Sequence, residues 1–202
     1  MATTNNPRGL VEYRKLGSGH CNTQTRWRRV KADSASGAHQ KFAGDPVVLV
    51  SGDTVARIPV AQTAASLPIL GVIRAVYNSD KRPLTHNLPS TGNFIPASTA
   101  GWVEVNEDPN QTYLCNTDAT VVSTYIGQYV ELTANTPNTA AGRSGFSVEV
   151  ATGTNTAAAT VPFQIVGLGP ENIDGTVAGG DNNQDVEIVI YNHVWRNTNR
   201  SR

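Results

Sequence analysis

A group of cations around one tryptophan has the clearest chemical content in this sequence. Such a group can neutralise phosphates while the indole stacks on a base. It can equally dock onto an acidic protein surface, where tryptophan and arginine are typical anchors. The group occupies residues 25–31 (TRWRRVK) and consists of Arg26, Trp27, Arg28, Arg29 and Lys31.

The distribution of charge favours the second of these partners. Residues 1–41 contain 8 Lys/Arg and 2 Asp/Glu, so this segment is basic. Residues 42–195 contain 5 Lys/Arg and 14 Asp/Glu and are acidic, and residues 196–202 add three arginines. A nucleic-acid binder usually has a basic body as well, and an acidic body repels a polyanion. We therefore expect the basic segment to bind protein, and nucleic acid is an unlikely partner.

The elements that carry these residues divide the chain into three parts. Residues 1–41 have few apolar side chains and no sustained period of 2 or 3.6, although residues 10–16 could pair as a short strand. This pattern predicts an extended basic N-terminal arm that orders against a partner. Residues 42–195 are expected to form the body and residues 196–202 a flexible basic tail. The residues predicted to bind the partner are Arg8, Arg14, Arg26, Trp27, Arg28, Arg29 and Lys31.

Candidate metal ligands do not assemble into a recognisable motif. His20 and Cys21 are adjacent, but no C-x-x-C or H-x-x-x-H occurs. Asp174, Asp181 and Asp185 lie in a Gly- and Asn-rich segment without the spacing of an EF-hand. We therefore expect neither a metal nor a cofactor.

Candidate catalytic residues are equally isolated. Ser144 lies in a turn (GRSG) with no identifiable base, and His193 is interpreted as a partly exposed residue of a strand. The chain contains no Walker A, G-x-G-x-x-G or G-x-S-x-G sequence. These observations predict a protein that is not an enzyme.

Compartment signals are sparse. The longest apolar stretches, such as residues 69–73, are far shorter than the roughly 20 residues that span a bilayer, and no apolar signal segment is visible at the start. Cys21 and Cys115 are 94 residues apart, so two free thiols are favoured, although a disulfide between them stays open. We expect no membrane association.

Composition predicts an all-β fold. Val and Ile together number 31 and Leu and Met only 11, and β-branched side chains suit a pleated sheet. About ten short strands separated by turn residues indicate a β-sandwich or β-barrel. Residues 78–98 form a polar loop long enough to be functional or interfacial. The predicted strands are residues 47–50, 55–61, 69–77, 101–105, 113–115, 121–125, 128–132, 146–150, 162–168 and 185–195.

The order of these elements resembles that of bacteriophage capsid decoration proteins, also called cement or head-stabilising proteins. The resemblance rests on GDPVVLVSGD (residues 44–53), PILGV (68–72) running into AVY (75–77), WVEV (102–105) leading to EDP (107–109), and FQIVGL (163–168) followed by an acidic turn. It implies a non-enzymatic homotrimer on the capsid exterior of the virion. Such a protein is synthesised in the host cytoplasm and binds the major capsid protein between capsomers, with an N-terminal arm reaching over the shell.

Three alternatives share the same composition. The chain could be another phage structural component such as a tail, adaptor or fibre-base protein, which copy number per particle would distinguish. It could be a module that binds host-surface carbohydrate through Trp102, Tyr113 and Tyr125. It could also bind DNA through the basic segment, with an affinity that falls steeply as salt rises.

Overall fold

The structure, a computed structural model, describes residues 9–16, 24–32, 39–58, 68–84, 93–150, 162–169 and 184–196. These residues form strands and one turn of 3-10 helix (Ser123–Tyr125), so the prediction of an all-β fold is confirmed. In chain order the strands are β1 (Val11–Lys15), β2 (Thr25–Val30), β3 (Lys41–Phe42), β4 (Pro46–Ser51), β5 (Thr54–Arg57), β6 (Ile69–Tyr77), β7 (Phe94–Ile95), β8 (Gly101–Asn106), β9 (Gln111–Asn116), β10 (Tyr129–Ala134), β11 (Phe146–Glu149), β12 (Phe163–Leu168) and β13 (Asp185–Ile190).

Five of the strands close into a barrel in the order β2-β5-β4-β6-β8. Its neighbours are antiparallel except β2 and β5, which meet in parallel at Arg29 and Thr54. A six-stranded antiparallel sheet follows the order β1-β9-β13-β12-β10-β11, and β3 pairs with β7 in a small ribbon. Strands β4 and β5 form an antiparallel hairpin in which Ser51 lies opposite Thr54.

Strand β6 is where the barrel and the six-stranded sheet pack together. Leu70 and Ile73 point into the barrel interior, whereas Ile69 and Val72 belong to the apolar core under the six-stranded sheet. Burial on both faces explains why the sequence of this strand is continuously apolar at its start. Gly71 is required there, because a Cβ at this position would lie 2.0 Å from the carbonyl oxygen of Asn106.

The prediction of an extended arm is wrong for the two segments of residues 1–41 that form β1 and β2. Strand β1 pairs with β9 at the edge of the six-stranded sheet, and β2 pairs with β8 along its whole length and closes the barrel. The apolar pattern is weak partly because Arg14 and Arg28 of these strands pair with buried carboxylates instead of apolar neighbours. Residues 1–8 and 197–202 lie outside the described residues.

Two further predictions need correction. Residues 121–125 were expected to be a strand, but Ser123–Tyr125 form the 3-10 turn. Strand β13 ends at Ile190, so His193 lies beyond the strand and is completely buried instead of partly exposed. Cys115 is a buried thiol whose Sγ lies 3.9 Å from the carbonyl oxygen of Phe146, and Cys21 lies outside the described residues.

Candidate functional site

Three neighbouring strands of the barrel carry a cluster of aromatic and basic side chains on their outer surface. The alternation of β8 places Val103 and Val105 in the barrel interior and Trp102 and Glu104 outside. Trp102 lies opposite Tyr77 of β6 on one side and opposite Arg29 of β2 on the other. We call this surface the aromatic–basic face; it consists of Trp27, Arg29, Tyr77, Lys81, Trp102 and Glu104.

The rings of this face contact one another across β8. The ring centroids of Trp27 and Tyr77 are 4.4 Å apart with the planes inclined at 39°. The Tyr77 hydroxyl lies 3.3 Å from Oε2 of Glu104 and donates a hydrogen bond to it. Burial, followed by the charge of Glu104, raises the pKa of Tyr77 and keeps this donor protonated. Trp27 remains 45 % exposed, which is a large apolar surface for a strand residue.

Lys81 is held over the rings by a strained turn. Its φ of 61° is in the left-handed region, which lysine rarely adopts. The turn is stabilised by the side chain of Asn78, whose Oδ1 accepts hydrogen bonds from the backbone N–H groups of Asp80 (3.0 Å) and Arg82 (2.8 Å). The result is that the Lys81 ammonium lies 4.3 Å from the centroid of Trp102 and 5.7 Å from that of Trp27.

A second cation lies over the same indole. The Arg29 guanidinium carbon is 5.5 Å from the Trp102 centroid. Neither Arg29 nor Lys81 has a carboxylate within 4.0 Å among the residues that the structure describes. Exposed cation–π contacts contribute only about 0.5–1 kcal/mol each. Both cations are therefore positioned by the rings yet keep their charge available to a partner.

Two of the arginines predicted to bind a partner instead hold buried carboxylates. Arg14 donates two hydrogen bonds to Glu187, at 2.7 and 2.6 Å, and Arg28 donates two to Glu107, at 2.5 and 2.8 Å. Both glutamate side chains are only 2 % exposed. The hydrogen bond to the carboxylate is the main cause that raises the pKa of each arginine. These bidentate pairs are structural.

The remaining predicted residues divide between the surface and the undescribed part of the chain. Trp27 and Arg29 belong to the aromatic–basic face. Arg26 is 66 % exposed with its Nε 3.9 Å from Glu107, and Lys31 is exposed just after β2. Arg8 lies outside the described residues. The structure thus brings Trp27 and Arg29 together with three residues that sequence reasoning did not assign to the binding segment, namely Tyr77, Lys81 and Trp102.

Signals for two of those three residues were present in the sequence. The alternation of residues 101–105 puts Trp102 and Glu104 on one face and Val103 and Val105 on the other, and the loop over residues 78–98, which contains Lys81, was recognised as unusually long. What the sequence could not supply was the pairing of β2 with β8, which joins the basic segment to this loop. Such pairing is a long-range contact that no local pattern encodes.

The carbohydrate hypothesis named three aromatic residues that do not share a face. Trp102 is on the barrel wall, Tyr113 is completely buried in the core of the six-stranded sheet, and Tyr125 is half-buried in the 3-10 turn. Burial raises the pKa of Tyr113 well above its usual value. A glycan platform built from these residues is therefore excluded.

Ser144, the candidate nucleophile of the sequence, is a buried structural residue. Its hydroxyl donates a 2.6 Å hydrogen bond to Oδ1 of Asp45, whose Oδ2 lies 3.2 Å from Nε of Arg57. Burial is the main cause that raises the pKa of Asp45 to about 6. Because Asp45 and Arg57 belong to the barrel and Ser144 precedes β11, this cluster fastens the barrel to the six-stranded sheet.

The described part of the chain holds no group of three or more His, Cys, Asp or Glu side chains that could bind a metal ion. His20, Asp174 and Asp181 lie outside it. Within the described ranges no helix has the length and apolar character needed to cross a membrane.

Comparisons with protein-family models, with curated proteins and with solved structures found no match to this chain. The aromatic–basic face and the resemblance in strand order are therefore the features from which a function can be proposed.

Proposed function

We propose that this protein is a structural virion protein that decorates and stabilises the outside of a tailed-phage capsid. The partner is the major capsid protein, contacted between neighbouring capsomers. The contact surface is the aromatic–basic face on the barrel wall, in place of the free arm that the sequence suggested. The order of strands and turns in residues 42–195 supports the virion assignment, and the face supports the mode of binding.

The observation that carries the proposal is the position of two cations over the half-buried indole of Trp102, next to the exposed indole of Trp27. Arg29 and Lys81 are held by Trp102 and Trp27, so they lose little conformational entropy when a partner carboxylate binds. Tryptophan and arginine are also the residue types that dominate interface energies. An acidic protein surface with some apolar area is the complement of this face.

The same geometry argues against a nucleic-acid partner. Stacking of a base needs an open ring face. Here Lys81 and Arg29 cover Trp102, while Tyr77 and Lys81 lie against Trp27. The cations over these rings hinder the stacking of a base and can still pair with carboxylate side chains.

Binding to capsids tests the proposal directly. The double variant Arg29→Ala/Lys81→Ala should bind DNA-filled heads at least about tenfold more weakly in a co-sedimentation titration, since about 1.4 kcal/mol corresponds to tenfold and two charge-assisted contacts are removed. Arg143→Ala, an exposed arginine elsewhere on the molecule, is the control and should bind as the wild type does. Wild-type affinity in the double variant would contradict the docking surface.

Stoichiometry tests the virion role separately. A decoration protein should be present in hundreds of copies per particle, and six or twelve copies would indicate a tail or portal component instead. We propose a homotrimer, for which the mass of the free protein in solution is the measurement. A shift of single-stranded DNA at about 50 mM salt, where phosphate contacts are strong, would support nucleic-acid binding and contradict the proposal.

A deletion of residues 1–31, which would remove most of the predicted arm, is not a suitable test of docking. It removes all of β1 and β2, and β2 pairs with both β8 and β5 to close the barrel. Loss of binding after such a deletion would report an opened barrel. Point substitutions on the outer face avoid this problem, because they leave the backbone pairing intact.

A further inference from the structure

A cavity of about 420 Å³ lies between β1 of the six-stranded sheet and β6 of the barrel. Its other walls are the turn at Ala43 and Gly44 and the segment at Gly142 and Arg143. A volume of this size is within the range of sites that bind small molecules or single side chains. The aromatic–basic face shares no residue with it.

The exposed apolar side chain at the cavity is Val11 of β1, which is 43 % exposed. Leu10, Val72 and Ile73 also border the cavity but are almost completely buried within the protein. The backbone around them is already paired, because the N–H of Leu10 donates to the oxygen of Gly44 and the N–H of Gly44 donates to the oxygen of Ile73. The cavity therefore offers the apolar surface of Val11 to a ligand, and its paired backbone makes little demand for polar groups.

The charged residues at the cavity are not balanced. Glu12 accepts a 2.8 Å hydrogen bond from Nδ2 of Asn106 and lies 4.0 Å from Nε of Arg74, whose Nη1 is 3.9 Å from Glu104. Arg143 has no carboxylate within 4.0 Å in the described ranges of the chain. One guanidinium at the mouth of an apolar cavity is thus left to pair with an anion.

The position of Arg143 is fixed by its backbone. Its N–H donates to the oxygen of Asn138 at 3.0 Å, and the N–H of Asn138 donates to the oxygen of Arg143 at 3.1 Å. A parallel β-bridge joins Arg143 to Ala43, which also lines the cavity. Gly142 has a φ of +62° and packs so closely that a Cβ would lie 2.2 Å from Cβ of Asn93. The guanidinium is therefore carried by a well-anchored turn.

We propose that this cavity binds a carboxylate carried on a short apolar group. The apolar group packs on Val11, and the carboxylate pairs with Arg143. Two sources have this chemistry, namely the C-terminal residue of a peptide and a small aliphatic acid. The site goes beyond the proposed docking function, since it uses a different surface of the molecule.

Matched probes test the carboxylate. Hexanoate should bind with a dissociation constant on the order of 1 mM, as expected for a ligand of about eight heavy atoms, and hexanol at least about tenfold more weakly because it cannot form the charge-assisted pair. Binding is followed by changes in the amide NMR signals of residues 10–12, 43–44 and 72–74. Equal binding of hexanol and hexanoate, or no change at these amides, would overturn the proposal.

Substitutions test the residue. Arg143→Ala should weaken hexanoate binding about tenfold, and Arg143→Lys should recover part of the loss because it keeps the charge. Arg29→Ala is the control and should change nothing here, so failure of this site is distinguishable from failure of the docking face. Undiminished binding by Arg143→Ala would sink the proposal.

Two further probes separate the sources of the ligand. If acetyl-Val-Leu with a free carboxyl end binds more tightly than hexanoate, and its amide does not bind, the site recognises a peptide terminus. If hexanoate binds more tightly than this dipeptide, the site recognises a free acid. Equal binding of the dipeptide acid and its amide would contradict recognition of the carboxylate.

Discussion

Arg28 and Arg29 are adjacent in β2, yet they lie in two different electrostatic environments. Arg28 is on the side of the strand that meets the buried carboxylate of Glu107, and its side chain is 12 % exposed. Arg29 points outward over Trp102, with no carboxylate partner among the described residues. This difference shows that the cations of the basic N-terminal segment have two roles. One set of cations stabilises the fold, and the other is available to a partner.

The largest expected effect is a difference in the free energy of unfolding between variants of these two arginines. Arg28→Met leaves Glu107 buried without its bidentate partner, and breaking a buried pair in this way costs roughly 3–5 kcal/mol. Arg26, whose Nε is 3.9 Å from Glu107, offsets part of that loss, so we expect about 3 kcal/mol in the free energy of unfolding by urea denaturation.

Arg29→Met is the matched control for this measurement. It removes one exposed cation–π contact and should cost no more than about 1 kcal/mol. If the two variants were destabilised equally, the division of β2 into a structural side and a binding side would be wrong.

The next effect concerns two buried groups that titrate in opposite directions. Burial raises the pKa of Asp45 from 3.8 to about 6, and burial together with Arg196 lowers the pKa of His193 from 6.5 to about 4. The contribution of Asp45 to stability is therefore present at low pH and is lost as the pH rises through 6. That of His193 is present above pH 6.5 and is lost as the pH falls toward 4.

Between pH 4 and 6 these two contributions oppose each other in the wild type, and single substitutions should reveal each of them. In the His193→Gln variant, Asp45 is the one of these two groups that still titrates. The stability of this variant relative to the wild type should therefore decrease as the pH rises from 4 to 6. Asp45→Asn should show the reverse slope. Each difference should amount to about 3 kcal/mol over this window, at 1.36 kcal/mol per pKa unit. Urea denaturation at pH 4, 5 and 6 measures it, and variant curves parallel to the wild type would refute it.

The contrast between Asp45 and Trp102 shows how far the sequence predicts this molecule. Strand alternation at residues 101–105 separates Trp102 from Val103 and Val105, as the structure does, and β6 was predicted with its observed bounds, because burial leaves a direct imprint on apolar periodicity. The pairing of Asp45 with Ser144 and Arg57 left no such imprint. It depends on side chains far apart in sequence that meet only when the barrel packs on the six-stranded sheet.

The prediction of an extended arm for the N-terminal segment was wrong for a related physical reason. Arg14 and Arg28 were predicted to bind a partner, since arginine is seldom buried within a fold. Their carboxylate partners, Glu187 and Glu107, lie 173 and 79 residues away along the chain. A polar strand that is completed by long-range ion pairs has the composition of an arm, and only the sheet topology distinguishes the two.

The smallest effect on stability should accompany a substitution in the binding region itself. Lys81→Gly relieves the left-handed backbone, which for a residue other than glycine costs roughly 1–3 kcal/mol, and it removes two exposed cation–π contacts of about 0.5–1 kcal/mol each. These terms nearly cancel, so the free energy of unfolding should change by less than about 1 kcal/mol. Capsid binding should nevertheless weaken, because the ammonium over Trp102 is gone.

Lys81→Asn is the control, since asparagine tolerates the left-handed region and also lacks the charge. It should be as stable as the glycine variant and should bind the capsid equally weakly. A glycine variant that kept wild-type capsid affinity would mean that the strained turn serves the fold and not the partner.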